Sequence, residues 1–250
     1  MRGDRCLKSL LALGLMKAAL SWAQLPVVDP QLVLSMKGPP ADSMAARVQA
    51  CTGCHGREGR ATPDGYFPRL AGKPKTYLYH QLLNFREGRR RYPLMSGLLE
   101  HLSDAYLAEI ADYFAGLEVP YPAPRPPMVD ATWLERGRRL VQQGDPARGL
   151  PGCVQCHGVA MTGLEPAVPG LLGLPRDYIN SQLGAWQAGL RQAQSPDCMA
   201  RVARLLTADE VSAISAWLAS QPVPVPARAV KSLARPLPLK CGDLSGGEGS

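Results

Sequence analysis

The sequence predicts an all-α protein built as a tandem duplication, and three observations carry that expectation. A Cys-x-x-Cys-His motif occurs twice, as Cys51-Thr52-Gly53-Cys54-His55 and Cys153-Val154-Gln155-Cys156-His157. The chain that follows also repeats: FPRLAGKPKTYLYHQLLNFREGRRR at 67–91 aligns without gaps to VPGLLGLPRDYINSQLGAWQAGLRQ at 168–192. Beyond these blocks the apolar residues recur at helical spacing, and no strand-length alternation appears.

The motif spacing has a chemical reason. Two cysteines one helical turn apart can form thioethers to the two vinyl groups of one porphyrin, and the next residue, His, then lies under the iron. The readings as a zinc site or a thioredoxin-type redox pair fit poorly, because His follows each pair directly and no βαβ pattern surrounds it. The repeat therefore predicts two haem c groups (iron), one per copy, attached at Cys51 and Cys54 and at Cys153 and Cys156.

The elements follow in order. Residues 24–43 form a polar, Pro-containing lead, and Ser43 can cap a short helix running into Cys51. Pro74 and Pro175 suit the first turn of the next helix. That helix carries Tyr77, Leu78, Gln81, Leu82 and Phe85 in one copy and Tyr178, Ile179, Gln182, Leu183 and Trp186 in the other. Gly88 and Gly189 end it. A Met follows in each copy, then a helix capped by Ser103 or Thr207, with Glu210 completing a capping box on Thr207. Leu107, Ile110 and Phe114 match Val211, Ile214 and Leu218 as its inward stripe. The predicted units are 44–118 and 129–221, joined by the Pro-rich linker 119–128. The second unit opens at Asp130 with a helix, and GDPARGLPG at 144–152 has no counterpart before the first motif. A Pro-rich tail, 222–250, closes the chain, with 242–250 expected to be disordered.

Length and composition agree with two small units. A polypeptide core of that size is marginal alone, and a covalent haem supplies the missing apolar bulk, which suits a chain with only 3 Phe. Residues 1–23 read as a secretory signal: Arg2, Arg5 and Lys8, then an apolar run, then Ser21-Trp22-Ala23 as a cleavage site. The alternative is a retained amphipathic anchor. Removing 1–23 lowers the formal charge from +7 to +4. Four haem propionates would offset that excess, so the basic pI does not argue for nucleic acid.

The repeat also selects the second axial ligands. His80 aligns with Ser181 and His101 with Leu205, so no spare histidine is shared, whereas Met95 and Met199 are. The axial pairs are thus expected to be His55 with Met95 and His157 with Met199. Met161 is expected to be a pocket or surface residue rather than a ligand, and Met44 and Met128 to be packing residues. The run Arg86, Arg89, Arg90, Arg91 reads as a solvated helix end, a propionate clamp or a docking patch. Arg90 recurs as Arg191, so Tyr77, Gln81, Arg90, Tyr178, Gln182 and Arg191 are the candidate propionate contacts. Of the 7 cysteines Cys6 leaves with the signal segment and four lie in the motifs, so two remain, Cys198 and Cys241. An even remainder in an oxidising compartment suggests a disulfide, tying the tail over the Met199 loop; the rival is a free Cys198 that ligates haem or reacts.

Two C-x-x-C-H-G motifs, P-x-L-x-G-x-P-x-x-Y-x-x-x-Q-L and a late Met before Leu-Ser/Thr resemble the dihaem cytochrome c4 family, as does G-D-P-A-R-G-x-P-G-C before the second motif. The resemblance covers about residues 44–220. It implies two class I cytochrome c domains related by a pseudo-twofold, each wrapped around one covalent haem c. It implies that Pro68 and Pro169 present the carbonyl that orients the proximal His. It further implies a periplasmic electron carrier, cleaved near Ala23, linking a dehydrogenase or a cytochrome bc-type complex to a terminal oxidase, with peripheral association to membrane complexes. A His/Met pair saturates iron, which favours electron transfer over catalysis. The alternatives are a dihaem enzyme of sulfur-compound oxidation or peroxide reduction using Cys198, and a cytochrome subunit of a larger dehydrogenase. The tail is not required by the family pattern.

Overall fold

The computed structural model describes residues 42–124 and 126–244. The predicted signal segment 1–23 and the lead up to residue 41 lie outside them. Among the described residues ten helices carry the fold: α1 (Met44–Arg47), α2 (Gln49–His55), α3 (Lys75–Arg86), α4 (Pro93–Leu99), α5 (Asp104–Gly116), α6 (Ala131–Gln143), α7 (Val154–His157), α8 (Arg176–Gln187), α9 (Cys198–Leu205) and α10 (Ala208–Ser220). Two short antiparallel ladders supplement them. One pairs Gly144 with Pro151 and Asp145 with Leu150; the other pairs Gly163 with Pro169 and Leu164 with Val168. Among the described residues no helix is long and apolar enough to cross a membrane.

The helix ends follow local chemistry. Ser43, Ser103, Asp130 and Asp197 each accept a backbone N–H at the start of α1, α5, α6 and α9. Thr207 and Glu210 form the complete capping box of α10. Pro74 and Pro175 occupy the N-cap itself with extended ψ, one position earlier than the first-turn reading. A residue preceding the helix is free to be extended, and proline's fixed φ suits both places.

Two separate apolar clusters form. The first centres on Val48, Leu78, Leu99, Leu107, Ile110 and Phe114, the second on Val141, Ile179, Leu183, Val211, Ile214 and Leu218. Both predicted inward stripes are therefore buried. In the first lobe α5 packs on α3; in the second α10 packs on α6 and α8. The segment 144–152, unmatched in the first lobe, is the first ladder, and it turns the chain from α6 into the second motif.

The lobes meet about an antiparallel bridge between Arg90 and Arg191. The Arg91 N–H donates to the Leu190 carbonyl and the Gln192 N–H to the Arg89 carbonyl, both at 2.8 Å. Equivalent positions of the repeat thus face each other, as a pseudo-twofold requires.

Two expectations fail. Met128 is 93% exposed rather than packed, because it sits in the linker and reaches neither core. Gly242–Leu244 is a 3-10 turn lying against the second lobe, not a disordered stretch, because Cys241 anchors it there; residues 245–250 lie outside the described residues.

The α6–α10 contact sets a sharp steric demand. A Cβ at Gly137 would fall 2.1 Å from the Ala213 carbonyl oxygen. Gly137→Ala should therefore destabilise by about 1–3 kcal/mol through overpacking, read as a lower midpoint in denaturant unfolding; an unchanged midpoint would show that the crossing is loose.

Candidate haem sites

Each motif rides on a helix that ends at its histidine, α2 at His55 and α7 at His157. The following glycines, Gly56 (φ 74°) and Gly158 (φ 80°), turn the chain sharply away in a conformation that side chains resist. A Cβ at Gly56 would sit 2.4 Å from the Ala61 carbonyl oxygen. Both imidazoles are buried. His55 Nδ1 lies 2.8 Å from the Pro68 carbonyl oxygen, and His157 Nδ1 lies 2.7 Å from that of Pro169. A carbonyl can only accept, so each Nδ1 carries the proton and each Nε2 keeps its lone pair.

Electrostatics point the same way. Burial lowers the pKa of both histidines, that of His157 to about 4, with Lys73 adding to the effect there. At neutral pH both rings are therefore the neutral, metal-ligating form. Burial pushes the Cys51 thiol up and the Cys153 thiol to about 12, so neither is the low-pKa thiolate of a redox pair.

The two cores open onto one continuous cavity of about 920 Å³. Cys51, His55 and Met95 line one end; Cys153, Cys156, His157 and Met199 line the other. Cys54 is exposed. Met95 lies on α4 and Met199 on α9, matching their places in the repeat. Met161 is instead buried in the second apolar cluster, and Met44 packs on the first. His101 is exposed, and His80 lies 3.8 Å from Asp243.

The six polar residues selected by the repeat meet where the ends join. Arg90 donates to Gln81 of its own lobe at 3.0 Å and to Tyr178 and Gln182 of the other at 3.1 and 2.7 Å. Arg191 reciprocates, donating to Gln182 at 2.8 Å, Tyr77 at 3.3 Å and Gln81 at 2.9 Å. Both guanidiniums are buried, and among the described residues neither pairs with a carboxylate within 4 Å. Burial and the neighbouring Arg90 charge depress the Arg191 pKa. Two buried cations without acidic partners suit a ligand that brings carboxylates. The cavity as a whole fits haem: apolar walls, neutral imidazoles, paired thiols and a cationic junction.

The rest of the arginine run is not one patch. Arg86 hydrogen-bonds the Leu102 carbonyl at 2.8 Å and Asp104 at 2.5 Å, and Arg89 is held by Asn84 at 2.6 Å and by Glu87. Only Arg90 turns inward.

Cys198 and Cys241 form a disulfide with Cα atoms 5.3 Å apart. The Cys198 sulfur is thus committed, and the rival role as a thiolate ligand loses its atom. The Gly242 N–H donates to the Pro196 carbonyl at 3.0 Å, the Gln194 N–H donates to Asp243, and Leu237, Leu239 and Leu244 line the second end of the cavity. The tail therefore straps the loop before Met199. Sequence reasoning missed two buried cations, Arg69 and Lys73. Their signal was available: the repeat places Gly170 and Leu174 at the same positions.

An all-α fold of two lobes, each presenting a Cys-x-x-Cys-His helix to an apolar cavity, is that of a class I c-type cytochrome with electron-transfer function. No protein-family profile matches the sequence. Curated relatives do. The thiosulfate dehydrogenase electron acceptor of Thiomonas intermedia (strain K12) is 37% identical over 187 residues, 74% of this chain and 85% of that protein. Cytochrome c4 of Pseudomonas aeruginosa is 33% identical over 175 residues, 69% of this chain and 84% of that one. Among solved structures, reduced recombinant cytochrome c4 from Pseudomonas stutzeri superposes with TM-score 0.61 at 29% identity, over 70% of this chain and 94% of that one. The thiosulfate dehydrogenase (TsdBA) of Marichromatium purpuratum superposes with TM-score 0.63 at 37% identity over 69% of this chain, which spans only 36% of that longer one. The chain belongs to the dihaem cytochrome c4 family.

The strap makes a stability prediction. The disulfide spans 43 residues, and in the chain-entropy account a loop of that length contributes about 3–4 kcal/mol. The double variant Cys198→Ser, Cys241→Ser should lose stability of that order in denaturant unfolding of the second lobe; equal stability would show that packing alone holds the tail.

Proposed function

We propose that this chain carries two covalent haem c groups and passes electrons from a periplasmic dehydrogenase towards a respiratory acceptor. Cys51 and Cys54 hold one group, Cys153 and Cys156 the other. When bound, each group supplies a one-electron iron couple. The chain's own residues do the rest. His55 and His157, held by the carbonyls of Pro68 and Pro169, would hold the iron through Nε2 together with Met95 and Met199. Thioether sulfur raises the potential, which suits delivery to an oxidase. Tyr77, Gln81, Arg90, Tyr178, Gln182 and Arg191 hold the propionates of both groups at the junction of the lobes. The reading rests above all on one observation: the same imidazole-to-proline hydrogen bond occurs in both copies of the repeat.

The relatives' names supply the partner class. Two are named electron acceptors of thiosulfate dehydrogenase. The donor proposed here is accordingly a dehydrogenase that oxidises thiosulfate, and the chain is its acceptor rather than an enzyme. A terminal oxidase or bc-type complex is the proposed next carrier. Residues 1–23 are the proposed export signal, cleaved near Ala23, with domains 44–118 and 129–221 in the mature protein.

Two measurements follow. Met95→Ala and Met199→Ala should each open one iron to carbon monoxide and abolish the far-red Met-to-ferric band of that haem alone. A variant that keeps its own band refutes the ligand assignment. Oxidised protein mixed with a thiosulfate dehydrogenase and thiosulfate should be reduced within the enzyme's turnover time; reduction no faster than with thiosulfate alone would remove that donor from the proposal.

A further inference from the structure

Lys73 is a buried charge that the haem sites described above do not use. It is only 6% exposed, in the turn between the Pro68 carbonyl and α3. Its Nζ donates across the lobe boundary to the Gly170 carbonyl at 2.7 Å. Gly170 directly follows Pro169, the residue that holds the proximal histidine of the second lobe. Among the described residues no carboxylate lies within 4 Å of it. The charge that acts on it is another cation, Arg69, itself buried and tied to the carbonyls of Ala71, Pro120 and Val119. Lys73 lines the same cavity as His157, and the carbonyl that it grips belongs to the residue next to the one that holds that ring. The repeat offers no counterpart at this position, where Leu174 stands; the cation acting on the first lobe's histidine is instead Arg90, at the junction of the lobes.

We propose that Lys73, contributed by the first lobe, is the positioning residue that raises the reduction potential of the second haem and couples it to proton uptake. The proposal rests on the haem reading given above. A buried positive charge disfavours the ferric iron more than the ferrous, because reduction removes one unit of positive charge from the site. Where the amine is neutral, the electron from the donor protein arrives with a proton from solvent: ferric iron, an electron, Lys73 amine and a proton give ferrous iron and Lys73 ammonium.

Burial pushes the Lys73 ammonium down to about 7. The charge is therefore present below neutrality and lost as pH rises through it. The groups facing it do not confuse the reading. Arg69 remains a cation throughout, since arginine does not deprotonate in proteins. Tyr121, stacked under Arg69 at 3.8 Å, is raised above its ordinary value by burial and stays neutral. His157 has both ring nitrogens committed in the proposed holoprotein, one to the Pro169 carbonyl and one to iron. The propionates lie with the Arg90–Arg191 pair in the proposed arrangement, and their contribution persists when Lys73 is replaced.

The test is a spectroelectrochemical titration of the full holoprotein at pH 6 and pH 8.5, with the haems distinguished by the NMR shifts of their methyl groups. In the wild type the second potential should fall between the two pH values more steeply than the first. In Lys73→Met it should be low at both and lose that extra slope, while the first haem is unmoved. In Lys73→Arg, where the charge is fixed, it should stay high at both. A Lys73→Met protein with the wild-type second potential and slope would overturn the proposal, as would equal shifts of both haems. Haem content and the far-red Met band are recorded on the same samples. If the wild type itself lacks the second haem or its Met band, the haem reading has failed rather than the role of Lys73.

Discussion

A buried imidazole must satisfy its ring nitrogens, and the way it does so decides what it can bind. In this protein a proline carbonyl takes the Nδ1 proton of both His55 and His157. That single bond fixes the tautomer, sets the ring orientation and aims Nε2 into the cavity. Much of the local sequence serves it. The helices α2 and α7 end at the histidines, and the glycines after them turn the chain back so that Pro68 and Pro169 can return to the rings.

The lobes are alike in this but not in their surroundings. At the junction the symmetry is kept, since Arg90 and Arg191 each reach into the other lobe's Tyr and Gln. Away from it the symmetry breaks twice, and both times the second lobe is affected. The disulfide-held tail lies over the loop before Met199, and Lys73 sits behind Pro169. The first lobe has neither feature: Met95 is preceded by Leu94, which is 69% exposed, and Leu174 fills the place of the lysine. Two sites built from one repeat thus acquire different environments, which is what directional transfer between otherwise equal carriers requires.

Most of the site was legible in the sequence because its chemistry is local. Cys-x-x-Cys-His is contiguous, and the duplication marks Met95 and Met199 by alignment alone. Ser103, Thr207 and Glu210 announce their helices through caps that involve neighbours in sequence. The failures share one cause, which is that they depend on contacts between distant segments. Arg90 was marked by its repeat partner Arg191, but its reach to Tyr178 and Gln182 of the other lobe exists only where the lobes meet. Met128 looked apolar enough to pack, but the linker brings it to no core. Gly242–Leu244 has a disordered composition, yet a covalent bond to Cys198 orders it. Lys73 was passed over because a lone lysine in a turn is ordinarily solvated; comparison with Leu174 carried the warning.

The central claim is that one geometry, repeated, holds two haems by His and Met in a single chain. Haem quantification together with the visible and far-red spectrum of the oxidised wild-type protein tests it most directly. The account predicts two haems c per chain that resist acid–acetone extraction, with far-red Met-to-ferric intensity appropriate to both. A single haem per chain, extractable haem, or a spectrum without the Met band would contradict it.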